Sequence, residues 1–163
     1  MNSYTNLSVF NECVGVISDG NEDPSINSSC SWYSGCSEEG SIEGNCNILT
    51  LTDVCQDSNI LNKSLYNYEN KACIFNQVDC RDYNSSSNTE NGCTEYIYGC
   101  SDGACDEINS NEYSNACHET NSDILINWSS NGNVCTSEEI NCSNLCEEGY
   151  RGSCESGGCV CNE

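Results

Sequence analysis

Apolar residues along this chain come in short bursts separated by long polar stretches. SVFNECVGVI (8–17) and CNILTLTDVC (46–55) alternate enough, with the period of two that sends side chains to opposite faces, to be predicted as strands, and SDILINW (122–128) fits a strand before a turn at SSNGN. DYNSSSNTENG (82–92) and EINSNEYSN (107–115) are polar throughout and are predicted to be long surface loops. One segment alone carries helix punctuation. Thr136 followed by Glu139 forms a capping box, SEEINCSNLCEE continues without a breaker, and Gly149 stands where a left-handed cap belongs, so a helix is predicted over 137–148.

Composition changes the meaning of these bursts. Leu, Ile, Val and Phe number 27 of 163 residues and the net charge is -22, a combination typical of chains that do not fold. Seventeen cysteines reverse that expectation, because cross-links close loops where burial cannot hold them. The expected class is a small disulfide-rich fold, mostly β and irregular, of short strands and loops. Such a chain belongs in an oxidising compartment, secreted or at a cell surface. MNSYTNLSVF has neither a basic flank nor an apolar h-region, so the chain is read as a mature form from which a leader was removed.

Charge and residue types exclude several functions. Four basic residues against 26 acidic ones leave no phosphate-binding surface, so no nucleic acid is expected as partner, and no apolar run is long enough for membrane insertion. His118 is the single histidine and sits beside Cys117 in ACHET, a poor start for a nucleophile and base, so no enzyme activity and no cofactor are expected. Asp19, Asn21 and Asp23 have the oxygen spacing of a calcium loop, but Pro24 and Cys30 occupy the places of its glycine and last glutamate, so a turn is preferred and no metal site is assigned. The doublets Glu38-Glu39, Glu138-Glu139 and Glu147-Glu148 read as solvated faces. Asn6, Asn27, Asn62, Asn84 and Asn127 are glycosylation candidates, while the sequon at Asn141 has Cys142 in its middle.

The last six cysteines have the spacing Cys135-x6-Cys142-x3-Cys146-x7-Cys154-x4-Cys159-x1-Cys161. Cys142 and Cys146 share one face of the predicted helix, Cys159 and Cys161 share one face of a strand at about the same separation, and Gly157-Gly158 supplies a hairpin turn. Spacing alone leaves fifteen pairings open. CSNLC (142–146), Gly152-Ser153-Cys154 and Cys159-Val160-Cys161 resemble the cysteine-stabilised αβ fold of invertebrate defensins and scorpion toxins. That resemblance implies a C-terminal αβ module with Cys135 bonded to Cys154, Cys142 to Cys159 and Cys146 to Cys161. The family's cationic membrane attack does not carry over, because residues 135–163 hold one arginine, Arg151, among six glutamates.

Two domains are therefore expected, 1–131 and 132–163, the first with a possible internal repeat. Cys-x6-Cys recurs at Cys73, Cys93 and Cys135, and CTEYIYGC and CTSEEINC open alike. Function is expected to be non-enzymatic recognition: an extracellular ligand, signal or toxin-like effector that presents loops to a protein partner. The alternative is a structural coat, matrix or filament protein of disulfide-stapled repeats, and a likeness to cysteine-periodic ciliate surface antigens points to it. Seventeen is odd, so one cysteine needs a partner outside the chain. Cys13, near a terminus and far from other cysteines, is the expected candidate for an intermolecular bridge giving a covalent homodimer or polymer.

Overall fold

A computed structural model describes residues 13–36 and 46–163. Those residues form short antiparallel strands arranged as five small sheets, with no α-helix among them. β1 (Val14–Asp19), β2 (Ser29–Cys36) and β3 (Cys46–Thr52) make the first sheet, and β4 (Val54–Cys55), β5 (Ile60–Asn67) and β6 (Ala72–Asp79) the second. A 3-10 turn, Cys80–Tyr83, follows. The order then repeats: β7 (Ser85–Thr89), β8 (Gly92–Ser101) and β9 (Ala104–Ser114) form a sheet, and β10 (Ala116–His118), β11 (Asn121–Asn131) and β12 (Val134–Asn141) another. A second 3-10 turn, Cys142–Leu145, leads to the hairpin of β13 (Arg151–Glu155) and β14 (Gly158–Asn162).

The strands gather into two compact units. The first holds Met1–Asp82 and Tyr98–Asp106, the second Tyr83–Ile97 and Glu107–Glu163. β8 and β9 thus lend residues to both. A division after residue 131 would instead fall at the turn of the β11–β12 hairpin, where Asn131 faces Val134 inside the second unit.

Three expectations are corrected. The helix over 137–148 does not exist. Ser137 to Asn141 pair with Trp128 to Ile124 across a hairpin, and only Cys142–Leu145 turn, capped by Asn141, whose side chain accepts a hydrogen bond from Ser143 N at 3.0 Å. Helix propensity is a weak preference, and cross-strand pairing with bridges at Cys135 and Cys142 overrides it. Without that helix the defensin resemblance falls, and with it the αβ module. Finally, the polar segments expected as loops are largely strands: SSSNT is β7, and residues 107–114 belong to β9. Strands of Ser and Asn hold here because their backbone groups are paired and their ends are stapled, with little apolar burial behind them.

Cystine supplies much of the core. In the first unit Leu61, Cys80 and Cys105 pack with Val78 and Cys100. In the second, Leu125, Cys142 and Cys154 pack with Cys117, Ile140 and Cys159.

Candidate functional site: a duplicated six-cysteine framework

Bridge connectivity defines the most distinctive feature of the molecule. Within the first unit Cys30 bonds to Cys73, Cys55 to Cys100 and Cys80 to Cys105. Within the second, Cys93 bonds to Cys135, Cys117 to Cys154 and Cys142 to Cys159. Taken in chain order, both sets join the first cysteine to the third, the second to the fifth and the fourth to the sixth. The spacing agrees as well: Cys55-x17-Cys73-x6-Cys80 matches Cys117-x17-Cys135-x6-Cys142, and Cys100-x4-Cys105 matches Cys154-x4-Cys159. Each unit has one bridge more, Cys13 to Cys46 in the first and Cys146 to Cys161 in the second.

Hydrogen bonds and close contacts follow the same correspondence. Asp53 N donates to Ser28 O at 2.9 Å and Asn115 N donates to Asn91 O at 2.8 Å, two residues before Cys30 and Cys93. The side-chain Oδ1 of Asp53 accepts from Ser64 N, and that of Asn115 from Trp128 N, each at 2.7 Å. Leu61 faces Val78 across one hairpin and Leu125 faces Ile140 across the other. Both Cys-x4-Cys turns have two consecutive residues at positive φ, Asp102-Gly103 and Ser156-Gly157. The second lies one residue before the Gly157-Gly158 turn read from the sequence. A Cβ on Gly103 would stand 2.6 Å from Asp53 O, and one on Gly157 would stand 2.5 Å from Asn115 O. Glycine is required at both for the same reason, close approach of the turn to the backbone just before the second cysteine.

The units differ where the first buries a charge. Lys63 Nζ lies 2.5 Å from Asp53 Oδ2 with both side chains almost wholly enclosed, and also donates to Ile26 O and Ser28 Oγ. Asp53 accepts further from Ser28 N, Ser28 Oγ and Ser64 Oγ. Burial pushes this carboxyl's pKa up, but the hydrogen bonds from Lys63, Ser64 and Ser28 outweigh burial and hold it below 3.8. Lys63 reaches donors' limits on every side and is enclosed, so it serves as a strut between loops and has no approach for a reactant. Its counterpart in the second unit is Asn127, and the matching place is a polar hollow of about 250 Å³ lined in part by Asn88, Thr89, Asn115 and Asn127. Beside it Tyr113 stacks on Trp128 at 4.4 Å, and Tyr113 OH donates to Glu95, whose other oxygen accepts from Cys135 N at 2.7 Å.

The residues singled out by sequence fall as follows. Cys135, Cys142, Cys146, Cys154, Cys159 and Cys161 are all in bridges, but Cys135 is joined to Cys93 and Cys154 to Cys117, in place of the Cys135–Cys154 bond that the resemblance implied. Cys13 is closed on Cys46 in its own chain, so it is not the cysteine left for a second chain. Asn27 is exposed, yet its amide donates to Asp102 O. Asn62 and Asn127 are half-buried on strands, Asn84 is half-buried, and Asn6 lies outside the described residues. The Asp19, Asn21, Asp23 segment is a pair of side-chain turns, Asn21 Oδ1 accepting from Asp23 N and Asp23 Oδ1 from Ser25 N, each at 2.9 Å. His118 Nδ1 accepts from Thr120 N at 3.2 Å. Among the described residues no group of acidic, cysteine or histidine side chains has a metal-binding arrangement. The recurring Cys-x17-Cys-x6-Cys was the signal for the duplication, whereas the likeness of CTEYIYGC to CTSEEINC pointed to the wrong pair. Cys93 corresponds to Cys30, and it is bonded to Cys135. No family model, curated protein or solved structure matches the chain.

Proposed function

We propose that this chain is an architectural part of an extracellular coat or matrix, built from disulfide-stapled β modules and without enzymatic activity. The observation that carries this reading is the recurrence of one six-cysteine connectivity in both units, with the same backbone hydrogen bonds and the same packed glycine. Repetition of a module whose interior is cystine, over a surface that is strongly acidic and rich in Asn and Ser, makes a resistant, hydrated polymer of modules. Eight bridges and the absence, among the described residues, of a helix able to cross a membrane fit an extracellular setting. Size-exclusion chromatography and electron microscopy of native material test the proposal. Extended or polymeric assemblies are expected, and a discrete soluble monomer would overturn it.

Recognition of a protein partner is the second reading. Its support is a shallow hollow in the first unit lined by Val14, Val16, Tyr66, Tyr68 and Lys71, where Val14 and Tyr68 are exposed and the two tyrosines meet edge to face at 4.9 Å. Saturable binding to a cell-surface protein that Y68A abolishes would favour it, and binding indifferent to that change would dismiss it.

A further inference from the structure

The polar hollow of the second unit corresponds to the place that the Lys63 side chain fills in the first. Lys63 Nζ donates there to Ile26 O, Ser28 Oγ and Asp53 Oδ2. Thr89 stands four residues before Cys93, as Ile26 stands four before Cys30, and Asn115 and Asn127 are the counterparts of Asp53 and Lys63. Thr89, Asn115 and Asn127 all line the hollow, together with Asn88, Glu90 and Trp128. Asparagine is shorter than lysine, so Asn127 does not fill the space, and about 250 Å³ stays open.

The same exchange changes the chemistry of the place. Both members of the buried ion pair are replaced by neutral amides. Asn115 Oδ1 accepts from Trp128 N as Asp53 Oδ1 accepts from Ser64 N, which puts a donor, Asn115 Nδ2, where Asp53 Oδ2 accepts from the ammonium. Asn127 Nδ2 donates to Glu138 Oε1 at 3.3 Å, which leaves its amide oxygen as an acceptor. An ammonium ion would meet the Asn115 donor, and an anion would meet the Glu90 carboxylate. A hydroxyl group donates and accepts without charge and suits both amides. The walls are already held in place. Asn88 Oδ1 accepts from Ser130 N at 2.7 Å, and Trp128 is stacked on Tyr113, whose hydroxyl donates to Glu95. A ligand entering there has little side-chain ordering to impose.

We propose that this hollow binds a neutral saccharide, one sugar unit held by a hydrogen bond from Asn115 Nδ2 and a hydrogen bond to Asn127 Oδ1, beside Trp128. The inference rests on the correspondence between the two units and is independent of a coat role. A free sugar and the end of a glycan chain present the same hydroxyls, and the test separates these sources.

The disulfide-intact chain, isotope-labelled for magnetic resonance, is titrated with glucose, galactose, mannose and N-acetylglucosamine, and with lysine methyl ester and acetate as charged comparators. At least one neutral sugar is expected to bind saturably and to move the side-chain amide signals of Asn115 and Asn127, while the charged compounds leave them in place. N115D/N127K restores the ion pair of the first unit and fills the hollow, so it should fold and bind the same sugar at least about tenfold more weakly. If that variant does not fold, the amide signals of the unaltered chain still decide. A glycoprotein carrying neutral glycans, titrated before and after their enzymatic removal, identifies the source. Binding tighter than that of the free sugar and lost on removal assigns the site to a glycan end, and binding no tighter assigns it to a free sugar. Absence of saturable shifts with all the sugars, equal shifts with lysine methyl ester or acetate, or sugar binding that survives N115D/N127K would each overturn the proposal. So would a glycan found covalently attached to Asn127 in native protein, because the hollow would then be taken by modification of its own wall.

Discussion

At the scale of single residues, the molecule depends on a few enclosed polar groups that are fully satisfied. Asp53 and Lys63 are the clearest case, because removing one leaves the other buried without its opposite charge. D53N is expected to destabilise the first unit by about 3–5 kcal/mol in urea unfolding of the disulfide-intact chain. The double change D53N/K63N copies the pair Asn115 and Asn127 of the second unit, and should cost less than the two single changes together by about 1–3 kcal/mol. The acid response has a definite sign. Since folding lowers the Asp53 pKa below 3.8, its contribution is complete above that value and is lost as pH falls through the lower folded-state pKa. Wild-type protein should therefore lose stability on acidification in that range, while D53N lacks this component. An identical acid profile for the two would refute the assignment.

At the scale of elements, hairpins stand on turns and bridges more than on apolar faces. Gly103 and Gly157 combine positive φ with close approach to a carbonyl, whereas Gly132 has φ of 67° and open space where a Cβ would stand. Alanine at Gly132 should cost about 1 kcal/mol, and at Gly103 or Gly157 distinctly more, with the two losses alike. Denaturant midpoints of the three variants decide this. The matched bridges should behave alike too: C80S/C105S and C142S/C159S, which open loops of similar length, are each expected to cost about 3 kcal/mol. Helix expected over 137–148 gave way because a strand pinned at Cys135 and Cys142 satisfies its backbone against β11; Thr136 and Glu139, read as a capping box, lie on that strand, and the cap of the 3-10 turn that follows is Asn141.

For the whole molecule, cross-linking takes the place that a large apolar core has elsewhere. Complete reduction at neutral pH should abolish the fold, read as loss of the β signature in far-ultraviolet dichroism with no helical signal at any stage. Self-repulsion from a net charge of -22 opposes compaction, so added salt should raise the thermal midpoint of the oxidised chain. A fold that survives full reduction would show that burial carries more than 27 aliphatic and Phe residues permit.

Sequence by itself determined the class of this protein. Scarce apolar residues, high negative charge and seventeen cysteines leave no stable alternative to a disulfide-rich, mostly β chain, and short apolar bursts located the strands β3 and β11. The duplication was also present as Cys-x17-Cys-x6-Cys, although similar residues around Cys93 and Cys135 masked it. Tertiary structure alone decided the pairings, since a cysteine's partner depends on which strands lie side by side and not on its distance along the chain. It turned two Ser- and Asn-rich segments into strands and closed Cys13 on Cys46. It also enclosed Lys63 against Asp53. Burial of that pair arises from loops brought together by bridges 43 and 45 residues long, a proximity to which no local pattern responds.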